Sequence, residues 1–86
     1  MSVLMLVQSC DKDYYRCTMM GLETRAIPHT LTDVEINGVT ATAFSAENEN
    51  ALLWKTEDGT FELVSEGPNC LTVEQLTQIA LSLKPQ

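Results

Sequence analysis

Two dipeptides, Asn37-Gly38 and Asp58-Gly59, each stand between runs rich in β-branched, aliphatic and aromatic residues. A pair of this kind between alternating apolar residues is the strongest short-range signal for a tight β-hairpin. The first hairpin is expected over residues 33–45. A two-residue type I′ turn at Asn37-Gly38 sets Ile36 opposite Val39 and Val34 opposite Ala41. Those four, with Ala43, then share one face, and Glu35, Thr40 and Thr42 share the other. The alternation predicts one buried face and one wet face. The second hairpin is expected over residues 51–64, turning at Asp58-Gly59. In that register Trp54 faces Leu63 and Lys55 faces Glu62, whereas a three-residue turn would set Trp54 against Glu62. The first is preferred because every pair is then compatible. Trp54 and Phe61 are read as core or half-core aromatics rather than platforms for a ligand.

Past a turn at residues 65–69, through Gly67 and Pro68, the period changes. Thr72 followed by Gln75 reads as a capping box, with Leu71 and Leu76 placed for a hydrophobic staple. Glu74 suits the positive end of a helix dipole and Lys84 the negative end. Val73, Leu76, Ile79, Ala80 and Leu83 form an apolar stripe at helical spacing, and Pro85 halts the helix. Burying each large member stabilises the fold by roughly 1.5–3 kcal/mol, so the stripe reads as core.

The N-terminal part is less decided. Residues 2–8 read as a strand with Val3, Met5 and Val7 on one side and Leu4 and Leu6 on the other. Apolar residues on both faces imply a strand covered on both sides, or set against a partner. In residues 12–25, Asp11 and Asp13 could start a helix, yet Tyr14, Tyr15, Cys17 and Thr18 also suit a strand, and Gly21 interrupts either. Pro28 favours an extended or turning segment over residues 26–31. Residues 46–50 read as a polar connection. The fold class expected is α+β: an antiparallel sheet built from hairpins and packed by one C-terminal amphipathic helix, in a single domain over residues 1–86.

The charge balance narrows the possible partners. Five Lys and Arg face twelve Asp and Glu, a net charge of -7. Such a chain repels phosphate backbones and offers no basic stripe, so nucleic acid is not expected as a partner. Anionic membrane surfaces are disfavoured too. The apolar run at residues 3–7 is far shorter than the ~20 residues of a membrane span, so no direct membrane insertion is expected. Val7-Gln8-Ser9-Cys10 faintly resembles a lipoprotein cleavage box but lacks the apolar segment before it.

No constellation of catalytic residues emerges. The glycines are too dispersed for a phosphate loop. His29 sits beside Pro28 without a local partner and reads as a surface histidine. Cys10 and Cys17 lack zinc-knuckle spacing, and Asp11-Lys12-Asp13 lacks the glycine and terminal glutamate of a calcium loop. The carboxylate pairs Glu47/Glu49 and Glu57/Asp58 fall in loops and turns. No catalytic, cofactor-binding or metal-binding residue is therefore assigned, and the chain is not read as an enzyme. Cys10, Cys17 and Cys70 are an odd set, read as partly buried thiols, with a Cys10–Cys17 or Cys17–Cys70 bridge open in an oxidising compartment.

Three stretches carry a resemblance: VEINGV, LLWKTEDGTFELV and LTVEQLTQIALSL. Over residues 34–84 the chain resembles an uncharacterised C-terminal domain, a domain-of-unknown-function family, of extracytoplasmic membrane-anchored proteins of Gram-positive bacteria. Trp54, Asp58, Gly59, Phe61, Leu71, Glu74, Leu76, Ile79, Ala80, Ser82 and Leu83 occupy its motif positions, and VLMLVQS would open the domain. The resemblance implies turn, cap and core roles for these residues and transfers no catalytic group. It implies a sensory, regulatory or envelope-associated module outside the membrane, either as part of a longer anchored protein or as a stand-alone version. Residues 10–32 carry no part of the resemblance.

Three functions follow as expectations. The first is a non-catalytic interaction or sensing module, the extracytoplasmic part of a membrane-anchored protein. The second is a stand-alone binding protein or homodimer that uses the N-terminal strand as its contact. The third is a cysteine-based redox protein, for which Arg16 beside Cys17 is the only obvious cation to lower a thiol pKa.

Overall fold

The computed structural model describes residues 3–83, so the charge expected at Lys84 and the stop at Pro85 lie outside the described residues. Along the chain come β1 (Val3–Ser9), α1 (Tyr14–Glu23), β2 (Thr30–Ile36), β3 (Val39–Ala46), β4 (Glu49–Thr56), β5 (Gly59–Glu66) and α2 (Val73–Ser82). The strands form one five-stranded antiparallel sheet in the order β1-β5-β4-β3-β2, an α+β fold. β2 to β5 run as a meander. β1 joins the far edge against β5, so the chain crosses the sheet between β1 and β2, and α1 lies on that crossing.

The β2–β3 turn is set by local chemistry. Asn37 and Gly38 hold φ of 51° and 82°, the positive values a type I′ turn needs at both central positions. Ile36 pairs with Val39 and Val34 with Ala41.

The β4–β5 turn differs from the expectation. Trp54 pairs with Phe61, Lys55 with Thr60 and Thr56 with Gly59, rather than Trp54 with Leu63 and Lys55 with Glu62. The central residues are Glu57 and Asp58, neither of them at positive φ, and the positive φ of 127° falls on Gly59. Asp58 N donates to Thr56 Oγ1 at 3.0 Å, bracing the turn from within. Gly59 is held by a distant contact. A Cβ there would lie 2.6 Å from the carbonyl oxygen of Ser9, so the glycine marks where β1 closes on β5 rather than the centre of the turn. Each partner moves by two residues, which leaves every side chain on its original face. Trp54 and Phe61 consequently stack, with ring centroids 5.5 Å apart and planes 12° from parallel.

The expectation of a wet second face fails at β3, because Phe44 on that face is buried. On the first face Ile36, Ala41, Ala43, Leu52, Trp54 and Leu63 meet Leu76 and Ala80 of α2, with Leu71, Val73, Ile79 and Leu83 packed at the margin. On the second, Phe44, Ala51, Leu53 and Val64 meet Leu22 of α1, flanked by Tyr15 and Met19. Two helices, one on each face, therefore pack the sheet where a single C-terminal helix was expected. The undecided segment is helical, and Gly21 lies within it. Tyr15, Met19 and Leu22, spaced four and three residues apart, share one side of the helix.

Polar contacts anchor the loop into α2. Asn50 Nδ2 donates to the Leu71 carbonyl at 2.8 Å and Leu71 N donates to the buried Ser65 hydroxyl at 2.9 Å. α2 then opens on a reciprocal capping box, with Gln75 N donating to Thr72 Oγ1 and Thr72 N donating to Gln75 Oε1.

Candidate functional site

The residues nominated for chemistry do not converge. Arg16 pairs with Asp13 at 3.0 Å, both side chains exposed, and stands beside an equally exposed Cys17. All three thiols are free, in three different settings. Cys10 lies by the Glu57-Asp58 turn, Cys17 on α1, and Cys70 within 3.7 Å of Asn50 Nδ2. Cys10 and Cys17 are exposed, against the expectation of partly buried thiols, and only Cys70 is half-buried. Among the described residues, no three His, Cys, Asp or Glu side chains gather as a metal centre would require.

His29 is not the unpartnered surface residue the sequence implied. It is half-buried, its ring stacks on Phe44 with centroids 5.0 Å apart, and Nδ1 donates to the Ile27 carbonyl at 2.7 Å. The Arg25 guanidinium lies 5.1 Å from the Phe44 ring centroid and holds Glu49 by two bonds of 2.8 and 3.0 Å. The hydrogen bonding to Glu49 raises the Arg25 pKa further, so the cation persists at any working pH. Glu49, nominated as half of a carboxylate pair, is thus spent in a clamp that fixes the α1–β2 connection over Phe44. No local motif announces this group, since its members come from separate parts of the chain.

One concavity of about 760 Å³ opens between the two hairpin turns and the last turn of α2. Ile36, Val39, Trp54, Phe61, Ala80 and Leu83 give it apolar walls. These residues are members of the first core or packed against it. Among the described residues, no buried side-chain nitrogen or oxygen lacks a hydrogen-bond partner, so no stranded polar group there awaits a ligand.

β1 offers a different geometry. Among the described residues, its outer edge has no neighbouring strand. Val3, Leu4, Met5 and Leu6 are 59%, 50%, 49% and 48% exposed. This overturns the expectation of cover on both sides. The cause lies in the helices: α2 packs across β2 to β5, and α1 chiefly on β4, so neither packs extensively on β1. Val3, Met5 and Val7 lie on the α1 face, paired with Glu66, Val64 and Glu62, while Leu4 and Leu6 lie on the α2 face, paired with Ser65 and Leu63.

Comparison with protein-family models, curated proteins and solved structures finds no match for this chain. In the chain's own geometry an apolar edge strand is the outstanding feature. Among the described residues no helix is long and apolar enough to cross a membrane.

Proposed function

We propose that this chain is a non-catalytic interaction or sensing module that engages a protein partner along β1. One observation carries the reading: four consecutive apolar residues, about half exposed, on an edge strand whose outer backbone groups have no partner strand among the described residues. Exposed apolar edges template pairing with another strand, and proteins that do not use them protect them with charge, proline or a bulge. Strand addition supplies backbone hydrogen bonds along the edge, and alternate side chains supply specificity. In this reading the hairpins and an amphipathic C-terminal helix form a rigid platform that presents the strand. The chain is proposed to act as the extracytoplasmic part of a membrane-anchored protein, a setting supported by the likeness of its hairpin and helix motifs to that family.

A photo-reactive residue in place of Leu6, introduced in cells, is expected to give a discrete cross-linked product. The same probe at Leu81, exposed on α2, is expected to give none. Equal labelling from both positions would refute the contact. For location, protease added to intact cells is expected to degrade the native product, and full protection would remove the extracytoplasmic part.

A further inference from the structure

The two edges of the sheet are built differently. β2 presents Asp33 and Glu35, both exposed, and follows closely on Pro28. Such residues deter pairing with a foreign strand. β1 carries neither charge nor proline over Val3–Ser9, and its register with β5 runs through seven pairs without a bulge. One edge is guarded and the other is open.

Symmetry limits what fits the open edge. A twofold axis normal to a sheet reverses strand direction and keeps every side chain on its own face. Paired residues from two copies must then share a face, so the axis passes through a residue and not between two. With the axis at Met5, Met5 meets Met5, Leu4 meets Leu6 and Val3 meets Val7. Every pair is apolar, and each falls on one face of the sheet. With the axis at Leu6, Leu4 would meet Gln8 and Val3 would meet Ser9, wasting both apolar partners.

Charge leaves room for the same occupant. Two copies, each of net charge -7, can approach closely only where neither carries acid. The nearest acids, Glu62 and Glu66, stand on β5, one strand inside the edge. Across the pair they are separated by three strand spacings, about 14 Å. That exceeds the Debye length of about 8 Å at physiological salt.

We propose that β1 pairs with β1 of a second copy of this chain, antiparallel about Met5, joining two five-stranded sheets into one. This rests on the reading of β1 as the contact strand and names its partner. Residual acid repulsion makes the pair tighten as salt rises, whereas a basic partner would bind more weakly with salt.

Sedimentation of the full chain, 9.5 kDa as a monomer, tests it. The expected result is a doubled mass, with a dimer fraction that grows with concentration and with added salt. Met5→Lys sets two ammonium groups against each other at the axis, and the dimer is lost while the circular dichroism holds and the melting temperature matches that of the parent diluted to monomer. Met5→Leu and Gln8→Lys keep the dimer. Should Met5→Lys melt below the diluted, monomeric parent, Leu4→Lys, opposite Leu6 of the copy, gives the same loss of dimer. A chain that stays monomeric at millimolar concentration, or a Met5→Lys variant that dimerises like the parent, overturns the proposal. Titrating the labelled chain with a peptide of residues 3–9 flanked by lysines separates the two failures. Amide shifts confined to β1 in a chain that stays monomeric keep β1 as the contact and exclude the second copy. A monomeric chain with no shifts removes both.

Discussion

A methyl group at Gly59 would press on the Ser9 carbonyl at 2.6 Å, while one at Gly21 would meet nothing within 4 Å. The two glycines therefore have opposite meanings. Gly59 also holds φ at 127°, which an L side chain rarely adopts. Gly59→Ala is expected to cost roughly 1–3 kcal/mol through strain at that point. Gly21→Ala, in a helix with open space around it, is expected to stabilise by roughly 0.5–1 kcal/mol. Urea midpoints moving in opposite directions check the pair. Tyr14 supplies a pH signature. Its hydroxyl donates to Glu62 at 2.9 Å. Burial first, then the hydrogen bond and charge of Glu62, raise the phenol above its ordinary value of 10.0. The folded chain thus holds that proton more tightly than the unfolded chain. The contribution is complete below about pH 10 and is lost as pH climbs through the folded-state value. Thermal melts are expected to show Tyr14→Phe less stable than the parent at pH 8, with the gap narrowing above pH 10. A gap that stays constant would count against the bond.

The two helices are held by different means. α2 carries its own start signal, the Thr72–Gln75 capping box. Thr72→Ala is expected to cost about 1 kcal/mol. Adding Gln75→Ala to it should cost less than Gln75→Ala alone, because the two bonds form one unit. A double-mutant cycle by denaturant melts reads that difference. α1 has no such device, since its N-cap Asp13 makes no side-chain capping bond. Its stability comes from Tyr15, Met19 and Leu22 resting on the second core. Leu22→Ala is expected to cost about 2–5 kcal/mol, with loss of helical circular dichroism if α1 detaches. This contrast explains why α2 was legible and α1 was not. A capping box and an apolar stripe are local marks. The tyrosines, cysteine and threonine of α1 have weak and divided preferences that packing overrides. The spacing of Tyr15, Met19 and Leu22 was the signal available.

For the whole molecule, two cores share one sheet, and both depend on strands whose side chains alternate between them. Leu76, fully buried against the first face, is where α2 locks to it. Leu76→Asp is expected to abolish the cooperative melt by setting an unpaired carboxylate in that core, and an unchanged transition would refute the packing. Among the described residues the candidate contact strand was partly legible. The two apolar faces of β1 are plain in VLMLV, but their exposure depends on where two helices stop. What the sequence by itself determined was local: the type I′ turn at Asn37-Gly38 and the capped start of α2. These rest on interactions among near neighbours, which leave a period or a motif in the string. Only the tertiary structure decided the turn at Glu57-Asp58, the cover of the second face, the clamp of Arg25 and Glu49 over Phe44, and the bare edge of β1. The bonds behind these features join residues 24 positions apart, as in Arg25–Glu49, or 48, as in Tyr14–Glu62. Contacts at that separation form only when the chain has closed on itself, and no local pattern records them.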